Sequence, residues 1–416
     1  MDTTSPHPDL SCRICSDEVV ACLDLGPQPV SSDYPRSPSD DSGHRFRLAV
    51  GVCTSCTMVQ QLEETPPSLM FGKAYPFRTS TSQHMRAHFR ATAERLLRGL
   101  PHGSDPFIVE IGSNDGSLLR TVAQAGVRHL GVDPSGDAVQ DEGLPEVRGL
   151  VDFFHEETAT SVRKEHGEAD IVYSANTVSH ISGLGEVLRG LDVLLKRDGI
   201  FVCEDRYLAD IVDNTSFDQI YDEHFYLFSV RSVQALASRF GFELVNVEHL
   251  DVHGGSMRYT IAREGTRDVS PSVTRLLARE HDLGLHDPAT YIRFGERVES
   301  IRSELVGLLR KLREQGATVV GYAATAKSAT VLNYCGIGPE LLPFICDSTP
   351  AKQGRLAPGT MIPIRSPEAF VPYPDYALLF AWNHAEEIMA KERSFTESGG
   401  HWITYVPKVH VTGAQT

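Results

Sequence analysis

No stretch of this 416-residue chain approaches the roughly 18 apolar residues that span a bilayer. Nor does its beginning carry a basic segment followed by an apolar run, the pattern of a secretory leader. Basic charge is short as well: 39 Lys and Arg stand against 55 Asp and Glu, a formal net charge of −16. Such a background repels nucleic acid and anionic membrane, so neither is an expected partner. A soluble, cytoplasmic protein is expected. Eight cysteines in so long a chain make no disulfide framework. The length itself allows two or three domains, each with a full core.

What the cysteines have is spacing. Cys12-x-x-Cys15 and Cys53-x-x-Cys56 are two knuckles in one short segment, the pattern of a tetrahedral thiolate zinc site. A redox pair needs only one knuckle, inside a β-α-β unit, whereas a polar tail precedes Cys12. Four protein ligands leave no position open for substrate, so the metal is expected to hold an N-terminal domain, residues 1–70, whose core is too small to hold itself. Cys22, Cys203, Cys335 and Cys346 are scattered among apolar residues and read as small buried hydrophobes.

Residues 82–98 lack Gly and Pro and predict a helix leading into a second domain, 71–265. Phe107-Ile-Val-Glu-Ile111, Gly112-Ser-Asn-Asp-Gly116 and Ser117-Leu-Leu-Arg-Thr-Val-Ala then read as strand, glycine turn and helix. The next apolar run, His129 to Asp133, puts a carboxylate 21 residues after Gly112, about where a nucleotide-binding sheet places its ribose ligand. Dinucleotide folds need a second glycine where this chain has Asn114, so that the backbone can approach a pyrophosphate. S-adenosylmethionine has no pyrophosphate. Glu110 is then expected to receive its cationic methionine end, and Asp133 its ribose hydroxyls.

The stretch Phe217-Asp-Gln-Ile-Tyr-Asp-Glu-His-Phe-Tyr-Leu-Phe-Ser229 sets Tyr221, Glu223 and His224 among aromatics. It reads as proton-transfer machinery whose dry surroundings shift pKa values toward neutrality; a buried edge strand is the alternative. Past residue 265 a polar helical run, 270 to 314, leads into strands at 317–323, 343–347, 376–381 and 401–406. Strands alternating with helices predict a second Rossmann-like domain, 266–416. The expected class is thus α/β: a small zinc-binding domain, a class I methyltransferase domain and a C-terminal Rossmann-like domain.

Val109-Glu-Ile-Gly-Ser-Asn-Asp-Gly-Ser-Leu-Leu119, Tyr221-Asp-Glu-His224, His253-Gly-Gly-Ser-Met-Arg258 and Gly321-Tyr-Ala-Ala-Thr-Ala-Lys327, with the cysteine knuckles, resemble the S-adenosylmethionine-dependent sugar C-methyltransferases that build branched deoxysugars for antibiotics. The resemblance covers nearly the whole chain. It looks closest to the C-3′-methyltransferases acting on TDP-linked 4-keto-6-deoxysugars, as in the tetronitrose pathway. It implies a cofactor site of Glu110, Gly112, Asn114, Gly116, Asp133 and Asn176. In that chemistry a base removes the acidified hydrogen beside the ketone and the enolate takes the methyl group. His224 is the expected base, because imidazole titrates near neutrality. Glu223 orients it or replaces it, and Tyr221, His180 and Tyr75 are expected donors to the enolate oxygen.

For the sugar nucleotide, the resemblance points to Lys327, at a helix N-terminus where phosphate binds well, with Lys352 and Arg355 as further cations. Asn333 and Asp347 are expected near the base or ribose. The glycines after His253 place backbone close to something bulky, either substrate or another loop. Methylation at C-5 of the same sugar, methylation on oxygen, and a zinc-anchored binding protein without turnover stay open as alternatives.

Overall fold

The computed structural model describes residues 10–71, 77–100, 105–136 and 147–412. They build three sheets. The central one grows outward from Phe107–Ile111, whose five residues are all buried. A strand covered on both faces reads as a continuous apolar run. Arg128–Val132 and Ala169–Ala175 flank it in parallel. The full order is Phe242–Leu250, Ser256–Arg263, Leu195–Arg206, Ala169–Ala175, Phe107–Ile111, Arg128–Val132, Gly149–Leu150. Only Ser256–Arg263 runs against its neighbours.

The chain leaves Phe107–Ile111 toward one edge of this sheet and returns on its other side with Ala169–Ala175. That reversal opens a crevice at the carboxyl ends, where open α/β sheets bind ligands. Gly112 lines it at φ +73, where a Cβ would stand 2.1 Å from Thr177 Oγ1. Gly112→Ala is therefore expected to cost about 1–3 kcal/mol in backbone strain alone and to weaken S-adenosylmethionine binding. A melting curve and a cofactor titration check both.

The C-terminal sheet has the order Ile364–Arg365, Ile345–Cys346, Val319–Tyr322, Tyr376–Leu379, His401–Thr404, His410–Val411. Its first five strands are parallel and the last antiparallel. This is a doubly wound arrangement with its own reversal, beside Val319–Tyr322. The polar helical run before it is two helices rather than one, Pro271–Asp282 and Pro288–Glu314. Gly284 at φ +71 ends the first, and Asp287 caps the second by accepting from Ala289 N. Along the second, Tyr291, Phe294, Val298, Ile301, Leu305, Leu309 and Leu312 are buried, a single apolar stripe at helical spacing.

The N-terminal sheet pairs Val19–Gln28, Phe46–Cys53 and Val59–Gln61, and its fourth strand is Tyr226–Leu227, from the aromatic stretch. Leu227 pairs with Val59 and Tyr226 with Gln60. Every residue from Phe217 to Ser229 is buried. The stretch therefore forms no edge of the cofactor sheet. It leaves that domain as a short 3-10 turn, Phe217–Gln219, and completes the sheet of the zinc-binding segment.

Candidate active site

The thiolates converge as their spacing predicts. Cys12 and Cys56 Sγ lie 3.5 Å apart, Cys15 and Cys53 Sγ 3.4 Å, and all four lie within 4.8 Å of one another. A tetrahedron with zinc–sulfur bonds of about 2.3 Å has edges of about 3.8 Å, so the set fits zinc. Each knuckle closes through a residue at positive φ, Ser16 and Thr57, whose amides return to the carbonyls of Cys12 and Cys53.

At the crevice of the central sheet lies a cavity of about 340 Å³, walled by Phe77, Met85, Phe89 and Phe153 and floored by Glu110, Gly112 and Asp133. Glu110 Oε2 is buried without a partner. Burial, then the charges of Asp133, Asp115 and Glu204, hold its carboxyl well above the usual range. Three acids around one dry carboxyl call for a cation. The sulfonium and ammonium of S-adenosylmethionine meet that need, and Glu110 and Asp133 fit the cofactor.

Asp133 Oδ2 accepts from Asn114 N at 2.9 Å, and Oδ1 accepts from Ser135 N at 2.8 Å. The Ser135 hydroxyl donates to Oδ1 as well; a carboxylate has about four acceptor positions, so one, on Oδ2, is left for a ribose hydroxyl. Asn114, at φ 48, does something its spacing did not reveal. Its Oδ1 accepts from Thr79 N and its Nδ2 donates to Phe77 O, while Asp115 Oδ2 accepts from Ser80 N. The turn thus fastens segment 77–81 over the cavity. Gly116, at φ 74, caps helix Ser117–Gln124. Asn176, at φ 52, places Nδ2 3.3 Å from His253 Nε2. Glu204, which the sequence reading passed over, is held by His88 Nε2 at 2.6 Å and Arg258 Nε at 2.8 Å.

Behind the cavity His180 stacks between Phe71 and His224, with ring centroids 5.5 and 5.1 Å away, and Tyr221 lies 4.0 Å from the His224 ring. His224 Nδ1 is 2.5 Å from Gln219 O. A carbonyl only accepts, so Nδ1 carries the hydrogen and Nε2 is a bare acceptor. That Nε2 is buried with no partner, as is His180 Nε2. The expected shift toward neutrality is corrected here. Burial, then the charges of Arg206 and His180, push His224 well below its ordinary value, and burial with Arg206 lowers His180 to about 3. Sequence could not show that the charge of Arg206 bears on both rings.

Gln61, from the N-terminal sheet, holds the turn from Tyr221 to His224 by donating to Tyr221 O at 2.7 Å and His224 O at 2.9 Å. Asp222 Oδ2 accepts from Ser31 N at 3.1 Å. Glu223 is buried, and its charge bears on Tyr34, Tyr221 and Lys352. Tyr75 lies outside the described residues.

The crevice of the C-terminal sheet opens toward the same turn. Lys327 Nζ donates to Asn383 Oδ1 and sits 4.8 Å over the Trp382 ring; burial lowers it to about 8 against the pull of Asp218. Trp382 Nε1 and Tyr405 OH both donate to Asp218 Oδ2 at 2.7 Å. The bulky neighbours of the His253 turn are now identified. A Cβ on Gly254 would lie 2.3 Å from the Trp382 ring, and one on Gly255 2.3 Å from Asp210 Oδ2. The glycines answer to another loop and a side chain.

The remaining sugar-nucleotide expectations narrow. Asn333 Nδ2 donates to Ala329 O and Pro358 O, Arg355 Nη1 to Tyr34 O, and Lys352 Nζ to Ala324 O. Asp347 accepts from Ala324 N and Thr349 N. These four tie loops together. Lys327 and His253 stand in the layer between the two Rossmann-type sheets, joined there by Arg206, Gln219 and Trp382, which sequence reasoning missed.

A doubly wound sheet with an acid-floored cofactor crevice, a second such sheet facing it and a closed site of four cysteines define an S-adenosylmethionine-dependent methyltransferase with structural zinc. The chain matches three domain families: a zinc binding domain over 12–71, a methyltransferase domain over 83–247 and a C-methyltransferase C-terminal domain over 251–407. It is 35% identical to the C-methyltransferase NovU of Streptomyces niveus over 421 residues, 99% of this chain and 98% of that one. The chain belongs to this family of C-methyltransferases. Among solved structures it is similar over 42% of its length to a SAM-dependent methyltransferase from Anabaena variabilis (15% identity, 84% of that chain, TM-score 0.34). Over 43% it is similar to magnesium protoporphyrin IX methyltransferase from Synechocystis (17% identity, 83% of that chain, TM-score 0.33). Among the described residues no helix is long and apolar enough to cross a membrane.

Proposed function

We propose that this C-methyltransferase methylates C-3′ of a TDP-linked 4-keto-deoxysugar in antibiotic deoxysugar biosynthesis, through an enolate formed by general-base proton abstraction. The observation that carries the reading is the bare, water-excluded Nε2 of His224, with its hydrogen fixed on Nδ1 by Gln219 O. Methylation at carbon needs a carbanion equivalent. A carbon beside a ketone gives one when a positioned base takes its proton. The cofactor supplies an electrophilic methyl group, and this chain's residues decide which carbon becomes nucleophilic. Lys327, at the start of helix Ala326–Cys335, supplies positive charge and helix N–H groups for a diphosphate. His224 is 1% exposed, so the sugar must displace contacts that cover its ring.

Two ring positions flank a 4-keto group, and C-5 is the second reading, since the same base serves either. Incubation with labelled S-adenosylmethionine and a panel of TDP-4-keto-sugars, followed by NMR of the product, decides donor, acceptor and carbon. A methyl group on oxygen, or no transfer to any panel member, would overturn the reading.

The two ligands are expected to separate by mutation. Asp133→Ala should raise the dissociation constant for S-adenosylmethionine on the order of tenfold to a hundredfold, the cost of hydrogen bonds to a charged partner, and leave sugar-nucleotide affinity unchanged. Calorimetry on each ligand tests this. Equal weakening would assign Asp133 to the fold through Asn114 and Ser135.

A further inference from the structure

Arg206 ends strand Leu195–Arg206 at the centre of the polar layer between the two Rossmann-type sheets. Its Nε donates to Gln219 Oε1 at 3.0 Å and its Nη1 to Asn176 Oδ1 at 3.3 Å. Nη2 meets no hydrogen-bond partner among the described residues. Asp205 Oδ1, the nearest carboxylate, stands 4.0 Å from Nη1 and is already held by Ser179 Oγ and by Arg206 N. The guanidinium is thus a buried cation with a donor unspent, and a buried cation costs free energy unless something anionic meets it.

Gln219 connects this cation to the base. Its backbone carbonyl fixes the His224 tautomer, its Oε1 aims Arg206, and its Nε2 donates to His253 O at 2.7 Å. Asn176, on the wall of the cofactor cavity, receives the guanidinium from the other side. One residue therefore sets the acceptor of the proton and the nearest cation in a common frame, which is what an enolisation site requires.

We propose that Arg206 is a catalytic residue that donates to the oxygen of the substrate carbonyl as it becomes an enolate, with Gln219 as the residue that positions both it and His224. The inference rests on the enolate reading above. His224 Nε2 takes the proton from the carbon beside the ketone, the C–H pair becomes the C=C bond, and the carbonyl π pair moves onto oxygen, where the Arg206 N–H groups meet it. When that carbon bonds to the methyl carbon, the S–CH₃ pair stays on sulfur, the C=O bond re-forms and the charge on oxygen disappears. Burial first and then the same cation lower His224, and together they keep the base unprotonated before substrate arrives.

The test uses the full-length zinc-loaded enzyme with a TDP-4-keto-6-deoxyhexose in D₂O, and follows α-hydrogen exchange without the methyl donor alongside methyl transfer with it. Arg206→Gln is expected to slow exchange and transfer together by about a hundredfold to a thousandfold, the loss typical of an oxyanion donor. The fall should appear in kcat, with S-adenosylmethionine affinity retained. The acidic limb of the exchange rate should move to higher pH, since the charge that depresses His224 is gone; a merely structural role would not move it. Arg206→Lys, which keeps a buried cation and tests the idea if the Gln variant fails to fold, should recover part of the exchange rate. Unchanged exchange with a raised KM would overturn the proposal and make Arg206 a diphosphate ligand. Absence of exchange by the unmodified enzyme on every 4-keto sugar nucleotide would overturn the enolate reading and this proposal with it, whereas normal exchange in both variants would overturn this one alone.

Discussion

His224→Asn is expected to lower turnover by about a hundredfold to ten-thousandfold, the usual contribution of a general base, while leaving both ligands bound. Asparagine keeps a donor within reach of Gln219 O, so the turn should hold its shape, but its amide accepts no proton at neutral pH. Glu223→Gln should cost less, because the Glu223 charge bears on Lys352 and Tyr34 as well as on Tyr221. Steady-state kinetics with solvent-deuterium exchange measure both; a larger loss at Glu223 would reverse their roles. The depressed His224 also fixes a sign. Its ring stays neutral below its ordinary value of 6.5, so the acidic limb of kcat/KM, which reports the free enzyme, is expected below pH 6.5. A limb at or above that value would remove His224 as the base or Arg206 as its neighbour.

Zinc removal is expected to abolish activity although the metal takes no part in the chemical step. The cause is the shared sheet. Without the metal the N-terminal segment loses the tie between its knuckles, and structural zinc in small peptides contributes about 10–16 kcal/mol of apparent binding free energy. The strand that fails with it carries Val59 to Gln61, which pairs with Tyr226–Leu227 and holds the carbonyls of Tyr221 and His224. Chelated protein, or Cys53→Ser, should therefore lose α-hydrogen exchange but keep S-adenosylmethionine binding, since the cavity floor is built from Glu110, Gly112 and Asp133. Metal analysis should give one zinc per chain. Folded, fully active protein without metal would refute the coupling.

Some of this was readable in the chain because the information is local. Phe107–Ile111, the glycine turn and helix Ser117–Gln124 lie within one short segment, where apolar run, positive-φ glycine and helical spacing each act on neighbours. The four cysteines were readable for a related reason: two residues between thiols already set the bite of a tetrahedral metal. Asp133 followed from the repeat of strand and turn.

The helix break at Gly284 and the role of Asn114 were not readable, since each depends on what the backbone meets. The layer between the two Rossmann-type sheets was least readable of all. Its aromatic stretch announced buried chemistry, but Gln61 reaches Tyr221 across 160 residues and Trp382 reaches Asp218 across 164. Neither pairing leaves a pattern in the sequence near the turn. The direction of the His224 shift depended first on its burial and then on the charge of Arg206, which a strand end and a shared glutamine bring into the same layer. Spacing determined the cysteine cluster, the strand, glycine turn and helix of the cofactor-type sheet and the two Rossmann-like domains, because helix, strand and chelate geometry are short-range. Only the tertiary structure decided which buried charges face one another, because Coulomb and desolvation energies depend on distances that the fold alone sets.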